Sequence, residues 1–370
     1  MMVQKIAIIG GGIVGSTAAY YLSKDNYKNY DVTLFDEGIG QATKAAAGII
    51  SPWLSKRRNK QWYHLASEGA ALVAKIAHDT NMDEQTYAND GTIITRDDQA
   101  SLDELLKIAL KRKEQAPEMG DVRFVSKDEI KELIPIIKNS PFDGLFVPGG
   151  SRIDGQLYCQ HLQRMAEQRN LNCLNGHVTL INDHKLKFNG KSFDFDKIII
   201  ATGAWSKAIL SDLNINLNLR PQKGQLIEVK VPDDIEHENM PVMMPESEYD
   251  FIPLGHGKLI IGATHDNDQG FNLDSEKSVE QLLVKTADNL ISNISTNDIL
   301  LSRVGTRAYT YDFGPFFGVI PNHESLLIGT GLGSSGLTTG PLVGKFLVDL
   351  IKGNYVDLDY YQKPINTYIN

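Results

Sequence analysis

The sequence predicts an α/β protein in which a Rossmann-like dinucleotide-binding domain is interrupted by an inserted antiparallel β-sheet domain. Three observations carry that reading. Near the N-terminus, KIAIIGGGIVGSTAAYYL reads as strand, glycine turn and helix. Late in the chain, DFDKIIIATGAWS and ESLLIGTGLGSSGLTTGPLVGKFLVDLI return to the buried-strand pattern, the second with its own glycine turn and helix. Between them GQLIEVKV, DFIPL and KLIIGAT alternate or run apolar between turns such as Gly255-His256-Gly257, the mark of antiparallel sheet. With 370 residues, two domains are expected.

The elements follow in order. Ile6 to Ile9 is a buried strand, and Gly10, Gly12 and Gly15 spell G-x-G-x-x-G. Gly10 permits the tight turn, Gly12 lets the backbone approach a pyrophosphate, and Gly15 lets helix and strand pack closely. The helix over Ser16 to Leu22 then aims free N–H groups and the positive end of its dipole at that pyrophosphate. A second strand, Asp31 to Phe35, ends in Asp36, whose carboxylate reaches an adenosine ribose hydroxyl and repels a 2′-phosphate. Residues 89–139 alternate strand-like GTIIT with helical QASLDELLKIALKRK, and KRKEQAPEMGD reads as an exposed linker. Lys197 to Ala201 is a buried strand ending in Thr202-Gly203-Ala204. The dinucleotide domain is thereby assembled from 1–86, 145–222 and 300–370, and the inserted domain from 87–144 and 223–299.

Composition narrows the function. A 42% hydrophobic and 22% charged chain has ample core for a globular protein. Lys and Arg number 37 against 46 acids, a net charge of −9, so nucleic acid is not an expected partner. Clusters such as Ser55-Lys56-Arg57-Arg58 and Lys111-Arg112-Lys113 are short and read as solvated faces. Cys159 and Cys173 make neither a disulfide framework nor a metal site, which points to a reducing cytoplasm. No segment has the run of apolar residues that a spanning helix needs, and loose contact with a membrane surface is left open.

The motifs, taken together and in order, resemble the D-amino-acid oxidase family of flavoenzymes, which includes glycine oxidase, sarcosine oxidase and D-amino acid dehydrogenase. They are IIGGGIVGSTAAYYL, Asp36, ATKAAAGII, IIIATGAWS, LRPQKGQL, KLIIGAT, VGTRAYTYDFGPFFG and GTGLGSSGLTTGP, spread over nearly the whole chain. The resemblance implies that the first domain binds FAD and the inserted one the substrate. It places Gly10, Gly12, Ile13, Val14 and Gly15 at the FAD pyrophosphate and Asp36 and Glu37 at the ribose. Thr43, Lys44, Ala47, Gly48 and Ile49 match a loop that wraps phosphate and isoalloxazine, where small residues let backbone lie against a flat ring. Val178 matches an adenine contact, with Thr202 and Gly203 near the same end. In the late turn, Gly331, Leu332, Gly333, Ser334, Ser335, Gly336, Leu337 and Thr338 aim amides and a helix N-terminus at the flavin pyrimidine edge, where charge accumulates on reduction.

On the substrate side, the resemblance implies that Arg307 grips a carboxylate bidentately. Arg303, nearby, matches no ligand position. Tyr249, Asp250 and Phe251 fall where family members place a tyrosine lid, and the register leaves open which of the three points inward. His265 is expected to end a strand, His161 to be a packing histidine, and Met240, Met243 and Met244 to fill core or interface. The function implied is FAD-dependent oxidation of a small amino acid or secondary amine to an imine, by hydride transfer to flavin N5, with hydrolysis to the oxo acid. FAD is expected to be noncovalent, because the C-terminal third lacks the cysteine that tethers flavin in sarcosine oxidases. Three alternatives stand beside it: an amine dehydrogenase that reduces a quinone instead of O2, a flavin-binding protein without activity, and an NAD enzyme. The last is disfavoured by ATKAAAGII and the second glycine turn, which serve no purpose for NAD. Oligomeric state is left open.

Overall fold

The computed structural model describes residues 3–369 apart from 25–26, 58, 139, 141, 232–238, 248 and 292–293. Its first layer is a six-stranded sheet with Gln4–Ile9 at the centre, paired in parallel with Tyr30–Asp36 on one side and Lys197–Ile200 on the other. Leu171–Asn175 and His323–Thr330 extend it in parallel, and Phe316–Ile320 closes one edge antiparallel. Successive side chains point to opposite faces and both faces are covered, so the strands read as continuous apolar runs. Ile6, Ile8, Ile199 and Leu327 enter one core beneath the helices Ile13–Lys24 and Gly336–Ile351. Ala7, Ile9, Ile198, Ile200 and Ile328 enter a second core on the other face. Each such fully buried isoleucine contributes about 1.5–3 kcal/mol of transfer free energy.

The second layer is an eight-stranded sheet. Its order is Ile299–Tyr309, Arg220–Lys230, Lys258–Gly262, Asp250–Gly255, Val242–Met244, Thr92–Thr95, Gly144–Val147 and Arg123–Val125. All its pairings are antiparallel except that of Val242–Met244 with Thr92–Thr95, which is parallel. The antiparallel character expected of residues 224–264 is thus observed. Gly144–Val147 and Ile299–Tyr309 also belong to this sheet, although most of each lies in a segment grouped with the dinucleotide domain by sequence.

KRKEQAPEMGD is not an exposed linker. Lys111–Lys113 complete the helix Gln99–Lys113, Pro117–Met119 forms a 3-10 turn, and Ala116 and Met119 are buried in the first core. Two apolar residues anchor the segment while its charges stay outside. Among the described residues no helix is long and apolar enough to cross a membrane.

Candidate active site

A cavity of about 870 Å³ opens where the two sheets face each other. One wall comes from the carboxyl ends of the parallel strands, with Gly10, Asp36, Thr202 and Thr330 on it, which is where open α/β sheets bind ligands. The opposite wall comes from the eight-stranded sheet and carries Gly224, Asp250, Gly262 and Arg307.

The first glycine turn is built for close approach. Gly10 has φ of 104°, closed to most side chains, and a Cβ there would collide with the Ala201 carbonyl. Gly10, Gly12, Ile13 and Val14 line the cavity. Gly15 does not. It sits behind the turn, where a Cβ would strike the Gly10 carbonyl oxygen, so its role is strand–helix packing rather than ligand contact. The turn is fixed from outside, since Ser16 Oγ and Gln163 Nε2 donate to the Gly11 carbonyl at 2.9 and 3.2 Å. The Ile13 amide at the helix start donates to Thr43 Oγ1 at 3.1 Å, tying the helix to the next loop.

Asp36 and Glu37 both line the cavity. Gln41 Nε2 donates to the two Asp36 oxygens at 2.8 and 2.6 Å, orienting the carboxylate at the strand tip. Glu37 is exposed at the rim and meets His177 Nδ1 at 3.2 Å. Ala42–Ala45 forms one helical turn, after which the chain extends at Ala46. Thr43, Ala47, Gly48 and Ile49 stand on the wall as expected, and Ala42, Ala45 and Ala46 join them. Lys44 does not line the cavity. At roughly 100° per residue the single turn that presents Ala42, Thr43 and Ala45 turns Lys44 off the wall, with its Nζ beside the lining residue Gly38.

At the far end, Val178, Thr202 and Gly203 line the wall, and Thr330 Oγ1 donates to the Gly203 carbonyl at 2.8 Å. All eight residues Gly331 to Thr338 face the cavity, ending in the first turn of the helix Gly336–Ile351. That turn is braced, because the Ser334 amide donates to Tyr309 Oη at 3.0 Å and Trp62 Nε1 donates to Ser335 Oγ at 3.0 Å.

Arg307 projects from Ile299–Tyr309 onto the wall. Its Nη1 donates to Gln222 Oε1 at 3.1 Å and to the Thr264 carbonyl at 2.8 Å. The guanidinium lies flat over Gly224, where a Cβ would sit 2.8 Å from Cζ and both Nη atoms. No carboxylate among the described residues pairs with it. Burial pulls its pKa down, yet a guanidinium stays charged at neutral pH. Arg303 is committed elsewhere, at 2.9 Å to Glu228 and 3.3 Å to Asp154.

Of the three lid candidates only Asp250 lines the cavity. Tyr249 and Phe251 are buried in the core beneath the eight-stranded sheet, because strand alternation sends the residues flanking Asp250 to the other face. Burial pushes the Asp250 carboxyl up to about 7. His265 lines the wall beyond a strand that ends at Gly262, and Met244 does too, while Met240 and Met243 are core. His161 Nε2 lies 3.1 Å from the Thr80 carbonyl, a packing contact.

The two charged clusters expected to be solvated faces each place an arginine against an aromatic ring. Lys56 and Arg57 line the cavity, with Arg57 Cζ 4.6 Å from the Trp62 ring centroid, and Arg112 stacks 4.4 Å from that of Tyr63. Arg58 lies outside the described residues. Trp62 lies five positions from Arg57 and Tyr63 lies 49 from Arg112, so spacing alone carries no signal.

These walls fit a flavin dinucleotide. The small-residue loop and the two glycine turns leave backbone bare along a cavity with a carboxylate at one strand tip, and two helix N-termini point into it. Residues 5–350 match the model of the DAO family, described as FAD dependent oxidoreductase. The chain belongs to this family of FAD-dependent oxidoreductases. It is 34% identical to an uncharacterized oxidoreductase, YurR, of Bacillus subtilis (strain 168) over 95% of this chain and 96% of that protein. It is 24% identical to glycine oxidase of the same organism, over 95% and 94%. The solved structure of iminodiacetate oxidase (IdaA) from Chelativorans sp. BNC1 is 28% identical and covers 98% of each chain with a TM-score of 0.88.

Proposed function

We propose that the enzyme oxidises the C–N bond of a small amino acid or secondary amine to an imine, which hydrolyses to an oxo acid. The observation that carries this reading is Arg307, a half-buried guanidinium over Gly224 with no carboxylate partner among the described residues, on the wall opposite the glycine turns. With Nη1 held by Gln222 and Thr264, its remaining N–H groups are oriented for a substrate carboxylate. Holding the carboxylate fixes the adjacent Cα–H, and that positioning lowers the barrier. FAD, when bound, supplies a two-electron acceptor at N5 for the hydride. The glycine oxidase and iminodiacetate oxidase relatives support an amine donor. The reading assigns FAD to 1–86, 145–222 and 300–370 and the substrate to 87–144 and 223–299, with Arg307 on a strand shared by both. FAD is held noncovalently, since neither Cys159 nor Cys173 lines the cavity. The acceptor is O2 or a quinone.

The test is anaerobic mixing of the yellow holoenzyme with a panel of amino acids and secondary amines, followed by air. Bleaching by an amine supports the reading, and reoxidation by air or only by a quinone assigns the acceptor. A flavin that no amine bleaches overturns it.

A further inference from the structure

Among the described residues three carboxylates line the cavity, and two are engaged: Asp36 by Gln41 and Glu37 by His177. The third, Asp250, receives no hydrogen bond and no ion pair among the described residues. It stands on the wall that carries Arg307. Register places them on one face, because Arg307 lies opposite Gln222, Leu226 opposite Gly262, and Gly262 opposite Asp250. Resting on the reading of function above, we infer that Asp250 is the second electrostatic anchor of the substrate, taking the amine of an amino acid whose carboxylate Arg307 holds.

The separation suits that role. The Arg307 guanidinium lies over Gly224 and leans toward Thr264, so about one and a half strand spacings and two residues of rise separate it from Asp250. At ~4.8 Å per strand and ~3.4 Å per residue this is on the order of 10 Å. A hydrogen bond of about 2.9 Å at each end leaves roughly 4 Å, room for the carboxylate oxygen and amine nitrogen of a small amino acid, which lie three bonds apart. The surroundings suit it as well. Among the described residues the other charged or titratable groups near this part of the wall are Arg307, Arg96 after Thr92–Thr95, His265 after Lys258–Gly262, and Lys56 and Arg57. Arg96 is turned toward Glu246 and the Thr95 carbonyl, and Arg307 toward Gln222 and Thr264. A carboxyl raised by burial to about 7 is a fit acceptor for an ammonium proton. One proton passes from nitrogen to Oδ, leaving a neutral amine and a carboxylic acid. The nitrogen lone pair is then free to support hydride departure from Cα.

The experiment reads binding rather than turnover, using probe pairs that differ in nitrogen against oxygen: glycine and glycolate, D-alanine and D-lactate, sarcosine and methoxyacetate. Each is titrated anaerobically into holoenzyme at pH 8, following the flavin spectrum, in wild type and Asp250→Asn. Where an amine bleaches the flavin, its Kd is taken from the concentration dependence of the bleaching rate. The expected result is about a tenfold weakening for the amines, with oxygen partners changed less than about twofold. Asp250→Glu should restore part of the preference. A merely structural role would weaken both members of a pair alike. Equal nitrogen-to-oxygen ratios in wild type and Asp250→Asn overturn the inference, as does a wild type that favours nitrogen in no pair. A wild type that prefers the amines but is bleached by none of the functional panel sinks the oxidase reading instead. The two failures are therefore separable.

Discussion

Replacing Gly224 by alanine tests the clamp through the glycine over which the Arg307 guanidinium lies. The new Cβ would stand 2.8 Å from Cζ, Nη1 and Nη2 of Arg307, whereas ordinary contact begins at 3.4 Å. The guanidinium must therefore rise by at least 3.4 − 2.8 = 0.6 Å. That shift strains its bonds to Gln222 and to the Thr264 carbonyl, now 3.1 and 2.8 Å, and tilts the carboxylate it holds. Misplacement approaching 1 Å costs on the order of a hundredfold in rate, so kcat/KM for the best amine should fall roughly 10- to 100-fold. Gly224 is not at positive φ, so alanine is tolerated by the backbone and FAD content should match wild type. The assay pairs steady-state turnover with titration of glycolate against the flavin spectrum. A Gly224→Ala enzyme with wild-type kcat/KM and unchanged carboxylate affinity would refute the placement of the guanidinium over this glycine.

Four further outcomes follow from the geometry. Arg307→Lys loses the bidentate fork and leaves an acceptor on Gln222 or Thr264 unmet, so turnover should drop steeply with little change in flavin absorbance; normal turnover and an unchanged carboxylate titration would contradict this. Asp36→Ala should weaken FAD by about 1–3 kcal/mol, read as apparent affinity by flavin fluorescence, and equal affinities would make Asp36 a solvated strand end. Acid or heat should release all the flavin into the supernatant, and flavin retained in the precipitate would mean a covalent bond. Asp250, raised in the fold to about 7 from its usual value, binds more protons folded than unfolded, so its contribution weakens as pH rises toward and through 7. Asp250→Asn should accordingly gain up to a few kcal/mol over wild type at pH 8 and little near pH 4, measured by denaturation of apoprotein; an equal gain at both pH values would remove burial as the cause.

Local patterns carry most of the wall that holds the two glycine turns. The strand, glycine turn and helix around Gly10 are contiguous, and so is the late turn from Gly331, so sequence distance and spatial distance nearly coincide there. The substrate wall is different. Asp250 and Arg307 come to one wall only through three strand pairings, and a one-residue uncertainty in a strand decides whether Tyr249 or Asp250 faces the cavity. Lys44 falls off the cavity wall for a related reason, since a single helical turn rotates each neighbour through about 100°. Lys56 and Arg57 looked like ordinary surface charge because their location depends on a loop folding over Trp62, which no periodicity encodes.

The strand Ile299–Tyr309 reaches further than its clamp residue. Three positions along it face three partners: the Thr306 amide bonds the Gly40 carbonyl at 3.0 Å beside the small-residue loop, Arg307 faces the cavity, and Tyr309 holds the Ser334 amide of the late turn. The strand acts as a gauge block between two jaws. Should the sheets rock against each other, the loop, the clamp and the late turn travel together, and the spacing that hydride transfer depends on is carried along instead of being reset. Tolerance to motion elsewhere is therefore expected to be high, and tolerance to a single inserted residue between Thr306 and Tyr309 very low.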